Sequence, residues 1–491
     1  MNFRPLQALL LTLLAAALIL TACQAAPQTP TAVIEATPPG GTPPRETAAT
    51  LAPTVERATK QPTAAPTDAL GAELADLEGV TIDFWHPWQA DVAAQAEAAV
   101  DEFNRANEWG LRVRIRSFYG ASALIDAVNT GRAMEDGEFP EVVAASSEQL
   151  AGWAQEDPPL VVDLTPYAGD LQVGLSDDEV AAYQPVFWEQ DRLGERRLGL
   201  PALRNARVLF YNRTWAEDLG FTEAPTTPAA FKQQACAAAQ ENNAARSNEL
   251  YGTGGWLIDT DPLTTLSWLG AFGADPIPAQ DGQQYEFESP EAEEALQFLR
   301  GLVNDGCAWI GRSLDEHEYF ALRRALFYSG NLPEIYDQMR WQEHAGSADQ
   351  WTVIPFPGED GKPLVFSAGH SYAVTTITGT SDEERLAGWL FARWMTHPRI
   401  AAKLAQALPS LPVSEPVAAQ LSDYRNNSPW SQIMPLMAGL RPAPSLASWR
   451  QARRLLEDAA WQVYHLPPES LPEVLPHLDE AVDEWISETG Y

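Results

Sequence analysis

The chain has 491 residues and a formal net charge of −35 at pH 7, from 32 Lys and Arg against 67 Asp and Glu. Nucleic acid is excluded as a partner on these grounds, because neutralising phosphates takes clustered Lys and Arg. The same balance argues against a strongly anionic ligand, while 45% hydrophobic and 10% aromatic content supplies a substantial core.

The first element is an apolar run. Residues 6–20, after Arg4, are nearly all Leu, Ala and Ile, too short for a comfortable bilayer span and suited to the core of a signal peptide. The run closes on Leu20-Thr21-Ala22-Cys23, a small-residue stretch ending in Cys that fits a bacterial lipobox. Residues 1–22 are expected to be cleaved and Cys23 to carry a lipid, leaving the protein extracytoplasmic and anchored to the cell membrane. The alternative is an ordinary secretory signal or a membrane helix. A stable tether takes two or three acyl chains, since one holds only marginally. Between 23 and 77 Pro, Thr and Ala dominate, as in Thr37-Pro38-Pro39-Gly40-Gly41. Such a segment cannot offset its ordering entropy and is expected to be a disordered, semi-rigid spacer. With Cys23 lipidated, Cys236 and Cys307 form an even pair in a compartment where disulfides survive. They are either bridged or two buried free thiols.

The remaining body of roughly 410 residues exceeds one hydrophobic core, so two domains are expected. Residues 80–85, Val-Thr-Ile-Asp-Phe-Trp, read as a strand, and Val92, Ala96, Ala99, Val100 and Phe103 repeat at helical spacing. A second strand at 111–115, a helix around 121–132 and a third strand at 141–145 follow. Alternation of this kind predicts a parallel, doubly wound sheet, with ligands at the carboxyl ends of its strands. Those ends are His86-Pro87-Trp88, Phe118-Tyr119-Gly120 and Ser146-Ser147. Thr227-Pro228 starts a helix, and further helices are expected near 262–272, 290–304 and 315–325. Strands return at 325–329 and 351–354, and residues 382–406 read as two helices parted by His397-Pro398. Strands that return after a helical insertion predict a chain crossing between two lobes more than once.

Several stretches, in this order, carry a family resemblance. They are Ile82-Asp83-Phe84-Trp85-His86, Gly199-Leu200-Pro201 with Leu209-Phe210-Tyr211-Asn212, and Gly220 through Pro225-Thr226-Thr227-Pro228-Ala229-Ala230-Phe231. Then come Gly369-His370-Ser371-Tyr372-Ala373-Val374, Ala387-Gly388-Trp389-Leu390-Phe391, Trp394-Met395-Thr396-His397-Pro398 and Leu408-Pro409-Ser410-Leu411-Pro412-Val413. Together they resemble the bacterial extracellular solute-binding proteins of family 1, the sugar-type binding components of ATP-binding cassette (ABC) importers. Pro228-Ala229-Ala230 departs from the Trp-Asp-Glu-like start usual there, and His370-Ser371 matches no one sugar.

The resemblance implies an α/β, two-lobed periplasmic-binding-protein-like fold (type II) with the lobes joined by crossing strands. Residues 78–205 are expected in lobe 1, 206–322 in lobe 2, 323–370 back in lobe 1, and 371–491 in lobe 2 with C-terminal helices. It further implies a monomer without cofactor that closes over a sugar or related polar uncharged solute and delivers it to an ABC permease.

A sugar offers apolar C–H faces for aromatic stacking and hydroxyls for hydrogen bonding. Of the 17 Trp residues, Trp88 and Trp256 are the first candidates for stacking, followed by Tyr372; Trp268 lies on a helix with Leu266 and Leu269 and reads as core. Candidate hydrogen-bonding groups are His86, Ser147, Asn205, Asp261, Asn331 and His370. Competing readings are a turn residue for Asn331 and His86 and a helix cap for Asp261. The sequence contains no G-x-S-x-G elbow and no H-E-x-x-H helix, and its seven His are scattered without metal-ligand spacing. Neither a metal nor catalysis is expected. The rival readings are a surface-anchored carbohydrate-active enzyme, given 67 acidic residues, and a lipid-anchored sensor or adhesion module.

Overall fold

A computed structural model describes residues 70–489 apart from 135–136, 246, 278–284, 313–314, 422–425, 427–430 and 432. Cys23 and nearly all of the expected spacer lie outside the described residues. The folded body starts before residue 78: Leu74–Leu77 forms a 3-10 turn against helix Asp382–Met395, and Leu77 is fully buried. Among the described residues, no helix is long and apolar enough to cross a membrane.

In chain order the strands are β1 Thr81–His86, β2 Arg112–Ser117, β3 Val142–Ala145, β4 Arg192–Leu193, β5 Arg196–Arg197, β6 Leu200–Asn212 and β7 Trp256–Leu257. They continue as β8 Ala308–Trp309, β9 Phe327–Asn331, β10 Trp351–Ile354, β11 Phe356–Pro357, β12 Pro363–Val374 and β13 Leu440–Pro442. β1 pairs in parallel with β2 and β3, and helices Ala90–Ala106 and Gly120–Ala133 make the crossovers. The first of these buries Val92, Ala96, Ala99, Val100 and Phe103 as one stripe, which is what fastens it to the sheet.

Two long strands join the lobes. The first half of β6 pairs antiparallel with β12, from Leu200↔Tyr372 to Ala206↔Ser367. Its second half pairs with β9, from Arg207↔Asn331 to Tyr211↔Phe327, and with β10. The end of β12 pairs with β3, from Ser371↔Ala145 to Val374↔Val142. The path β2-β1-β3-β12-β6-β9-β7-β8 therefore runs unbroken from one lobe into the other. Alternation along β6 serves both faces of the second lobe, with Val208 and Phe210 entering one apolar cluster and Leu209 and Tyr211 another.

These pairings correct the expected allocation of the chain's second half. β9 and β10 lie beside the second half of β6, so most of 323–370 belongs with the second lobe. Helices Asp382–Met395 and Pro398–Ala407 pack on β1 and helix Ala90–Ala106, which puts these two helices with the first lobe. Only the C-terminal helices Trp449–His465 and Val474–Thr489 return to the second lobe, against helices Pro262–Ala271 and Pro290–Asn304. An amphipathic helix advertises an apolar stripe, and the stripe does not say which sheet covers it. Cys236 and Cys307 are bridged, with Cα atoms 4.3 Å apart. The bond fastens helix Pro228–Ala244 to the residue just ahead of β8.

Candidate functional site

The crossing strands come close together at Gly369, where a Cβ would sit 2.0 Å from the Leu203 carbonyl oxygen. Only glycine fits there. Next to it the structure gathers His86, Trp88, His370 and Tyr372. The Trp88 indole N–H donates to His370 Nδ1 at 3.3 Å, and the Trp88 backbone N–H donates to His86 Nδ1 at 3.2 Å. The His86 ring stacks on Trp88 at 5.0 Å, while Tyr372 meets Trp88 edge-on at 6.0 Å. His86, Trp88 and Tyr372 are each at most 3% exposed and His370 is half-buried, an aromatic hub at the crossing. Burial holds both imidazoles down to about 4, assisted at His86 by His370 and at His370 by Arg204.

Ser147 lies beneath this hub and is spoken for. Its hydroxyl donates to Asp191 Oδ1 at 2.8 Å. Asp191 Oδ2 accepts from Ser371 Oγ at 2.6 Å and from Arg204 Nη2 at 2.8 Å, and both charged side chains are fully buried. Arg204 also donates to the His370 carbonyl at 2.5 Å. Ser147 thus serves a buried ion-pair network that ties β6 to β12. Asp191 and Arg204 were not singled out from the sequence, where nothing marks them off from surface charges.

In the second lobe the sequence candidates divide differently. Trp256 is fully buried, with its N–H donating to Ser329 Oγ at 3.2 Å; β7 lies between β8 and β9, so the ring faces core. Trp268 is core too. Asp261 caps helix Pro262–Ala271, accepting from the Leu263 N–H at 2.8 Å. Asn331 and Glu334 cap a 3-10 turn reciprocally. Asn205 Oδ1 accepts from the Leu332 N–H at 3.0 Å, bracing that turn against β6.

Beside Glu334 lies a pocket of about 450 Å3, at the carboxyl ends of β7, β8 and β9. Arg207 is its buried anchor. The guanidinium meets Asp259 at 2.9 Å and Thr264 Oγ1 at 2.8 Å, and lies 3.8 Å from Asp261. Burial pushes the Asp259 and Glu334 carboxyls up, with Arg207 opposing in both cases. Tyr319, Tyr328, Ser329, Glu316 and Arg312 complete the wall. Asp261, a candidate from the sequence, stands behind this wall; Arg207, Asp259, Glu334 and Tyr328 were not among the sequence candidates. The available signal was Asp259-Thr260-Asp261 at a strand end, together with Arg207 as one of two arginines inside a largely apolar strand. A larger depression of about 710 Å3 on the first lobe is bordered by 165–180 and 188–197, away from the ends of the parallel strands.

The model for "Bacterial extracellular solute-binding protein" matches residues 98–432. The chain belongs to this family. Among solved structures, this solute-binding protein is similar to the sugar-binding protein MalE of Xanthomonas citri, with a TM-score of 0.70 and 17% identity over 84% of this chain and 98% of that one. The cyclic alpha-maltosyl-1,6-maltose binding protein of Arthrobacter globiformis gives 0.69 and 18%, over 82% and 98%. Both likenesses show the two-lobed, type II α/β fold. A curated relative from Deinococcus radiodurans, named "Probable ABC transporter-binding protein", is 24% identical over 244 residues, 49% of this chain. The match spans about half of that relative's length, 53%.

Proposed function

We propose that this protein is the substrate-binding lipoprotein of an ABC importer. It captures a sugar or related polar solute between its lobes, closes by a hinge in β6 and β12, and delivers the solute unchanged to a membrane permease. A lipid on Cys23 keeps it on the outer side of the membrane, and ATP hydrolysis falls to a cytoplasmic partner. The supporting observation is the polar pocket at the carboxyl ends of the second lobe's strands, beside two continuous strands that exchange partners at Ala206–Arg207 and His370–Ser371. Hinges of this kind need only a few residues to absorb the rotation. The sugars named for the Xanthomonas and Arthrobacter proteins favour a saccharide.

A melting screen against mono- and oligosaccharides tests the reading, since a solute bound only by the folded state adds about 2.7 kcal/mol at a hundredfold excess over Kd. A concentration-dependent rise with the saccharide recovered unchanged is expected. A cleaved saccharide would replace importer with anchored enzyme.

A further inference from the structure

The second-lobe pocket is unbalanced in charge. Asp259, Glu316 and Glu334 line it and Asp261 stands just behind, against Arg207 and Arg312. Arg207 is consumed by its own lobe: Nε donates to Thr264, Nη2 to the Ser329 carbonyl, and Asp259 and Asp261 share its charge. Arg312 is exposed on the rim. Glu334 differs from the other carboxylates. Its Oε1 is occupied by both N–H groups of Asn331, at 2.9 and 3.0 Å. Its Oε2 lies 3.7 Å from His317 Nε2, too far for a hydrogen bond. Glycine at 330 leaves room for that oxygen, since a Cβ there would fall 2.4 Å from it.

Two buried polar atoms beside Glu334 have no hydrogen-bond partner: the Tyr328 hydroxyl and His317 Nε2. Their residues are 1% and 6% exposed and their rings are 5.5 Å apart. His317 Nδ1 is bonded to the Asp315 carboxylate. Glu334 Oε2 and the Tyr328 hydroxyl are therefore two groups able to accept hydrogen bonds in one corner, the hydroxyl buried and without a partner. Orphaned polar atoms at such depth are costly and point to a missing partner. A primary ammonium, with three donors and no acceptor, matches that set.

We propose that the solute is an amino sugar whose ammonium seats against Glu334 and Tyr328, while its ring hydroxyls meet Ser329 and Asp259. This rests on the solute-binding reading above and replaces the expected uncharged solute with a cationic one. Burial raises the Glu334 carboxyl above its ordinary range, which is the behaviour of a carboxylate that a cation would relieve.

The test is calorimetric titration and melting of the full chain with β-1,4-linked glucosamine oligomers, their N-acetylated counterparts, malto-oligosaccharides, and CaCl2 or ZnCl2 alone. Glucosamine oligomers are expected to bind at least tenfold more tightly than either neutral series. Glu334→Gln, which keeps the Oε1 acceptor for Asn331, and Tyr328→Phe are each expected to weaken them about tenfold without loss of the cooperative melt. Binding of neutral saccharides with none of the amino series would overturn this proposal and leave the importer reading standing. A response to metal alone would make the corner a metal site and overturn it too. Indifference of amino-sugar binding to Glu334→Gln would remove Glu334 from the site. Silence from every saccharide would defeat both readings.

Discussion

His86 and His370, read from the sequence for ligand contact, pack around Trp88 beside the crossing strands. Both are held neutral, lowered to about 4 by burial. A folded-state value below the unfolded value of about 6.5 contributes stability above pH 6.5 that is lost as pH falls towards 4. The loss is on the order of 3 kcal/mol per site at most, and less than twice that for the pair because part of the His86 shift comes from His370. Glu141, raised to about 7 chiefly by burial, works in the opposite sense, its contribution fading as pH rises through 7. The readout is therefore a difference. Urea stability of His370→Gln, which retains an acceptor for Trp88, should fall less than that of the wild type between pH 6.5 and 4. Equal slopes would contradict the assignment. Residue by residue, the first-lobe aromatics were legible because a strand ending in His86-Pro87-Trp88 leaves them at the sheet's carboxyl edge. Asp261 and Asn331 were ambiguous because a short polar side chain at a helix start satisfies backbone N–H groups and a ligand with the same atoms. Trp256 misled, since a two-residue strand gives no alternation from which to infer its face.

At the scale of elements, the first lobe was readable from strand-helix alternation: β1, β2, β3 and helix Ala90–Ala106 lie within a residue or two of their expected positions. β7 and β8, two residues each, carry too little pattern to be seen. Yet they form the floor of the pocket, and the Cys236–Cys307 bond pins it. The closed segment has a sequence separation of 71. Loop-closure entropy for a segment of this size corresponds to about 4 kcal/mol, which native packing can reduce. Replacing both cysteines with Ser should lower urea stability by about 2–4 kcal/mol. Thiol titration of the denatured, unreduced body should find neither Cys236 nor Cys307 reactive. Two reactive groups there would mean the bond does not form in the protein.

For the whole molecule, the expectation of two lobes with crossing strands followed from strands that return after a long helical insertion. The allocation of the later segments did not, because pairing partners far apart in sequence are set by packing that no local pattern encodes. The lobes are linked by β6 and β12, and a buried Arg204–Asp191 pair locks those strands together where they meet the first lobe. In the proposed closure, bending falls on the residues where pairing changes hands. Spin labels on Leu171→Cys in the first lobe and Tyr251→Cys in the second, both at exposed positions, would measure the consequence by pulsed dipolar spectroscopy. Saturating saccharide should replace the solute-free distance distribution with a shifted, narrower one. An unchanged distribution with saccharide demonstrably bound would contradict capture by lobe closure.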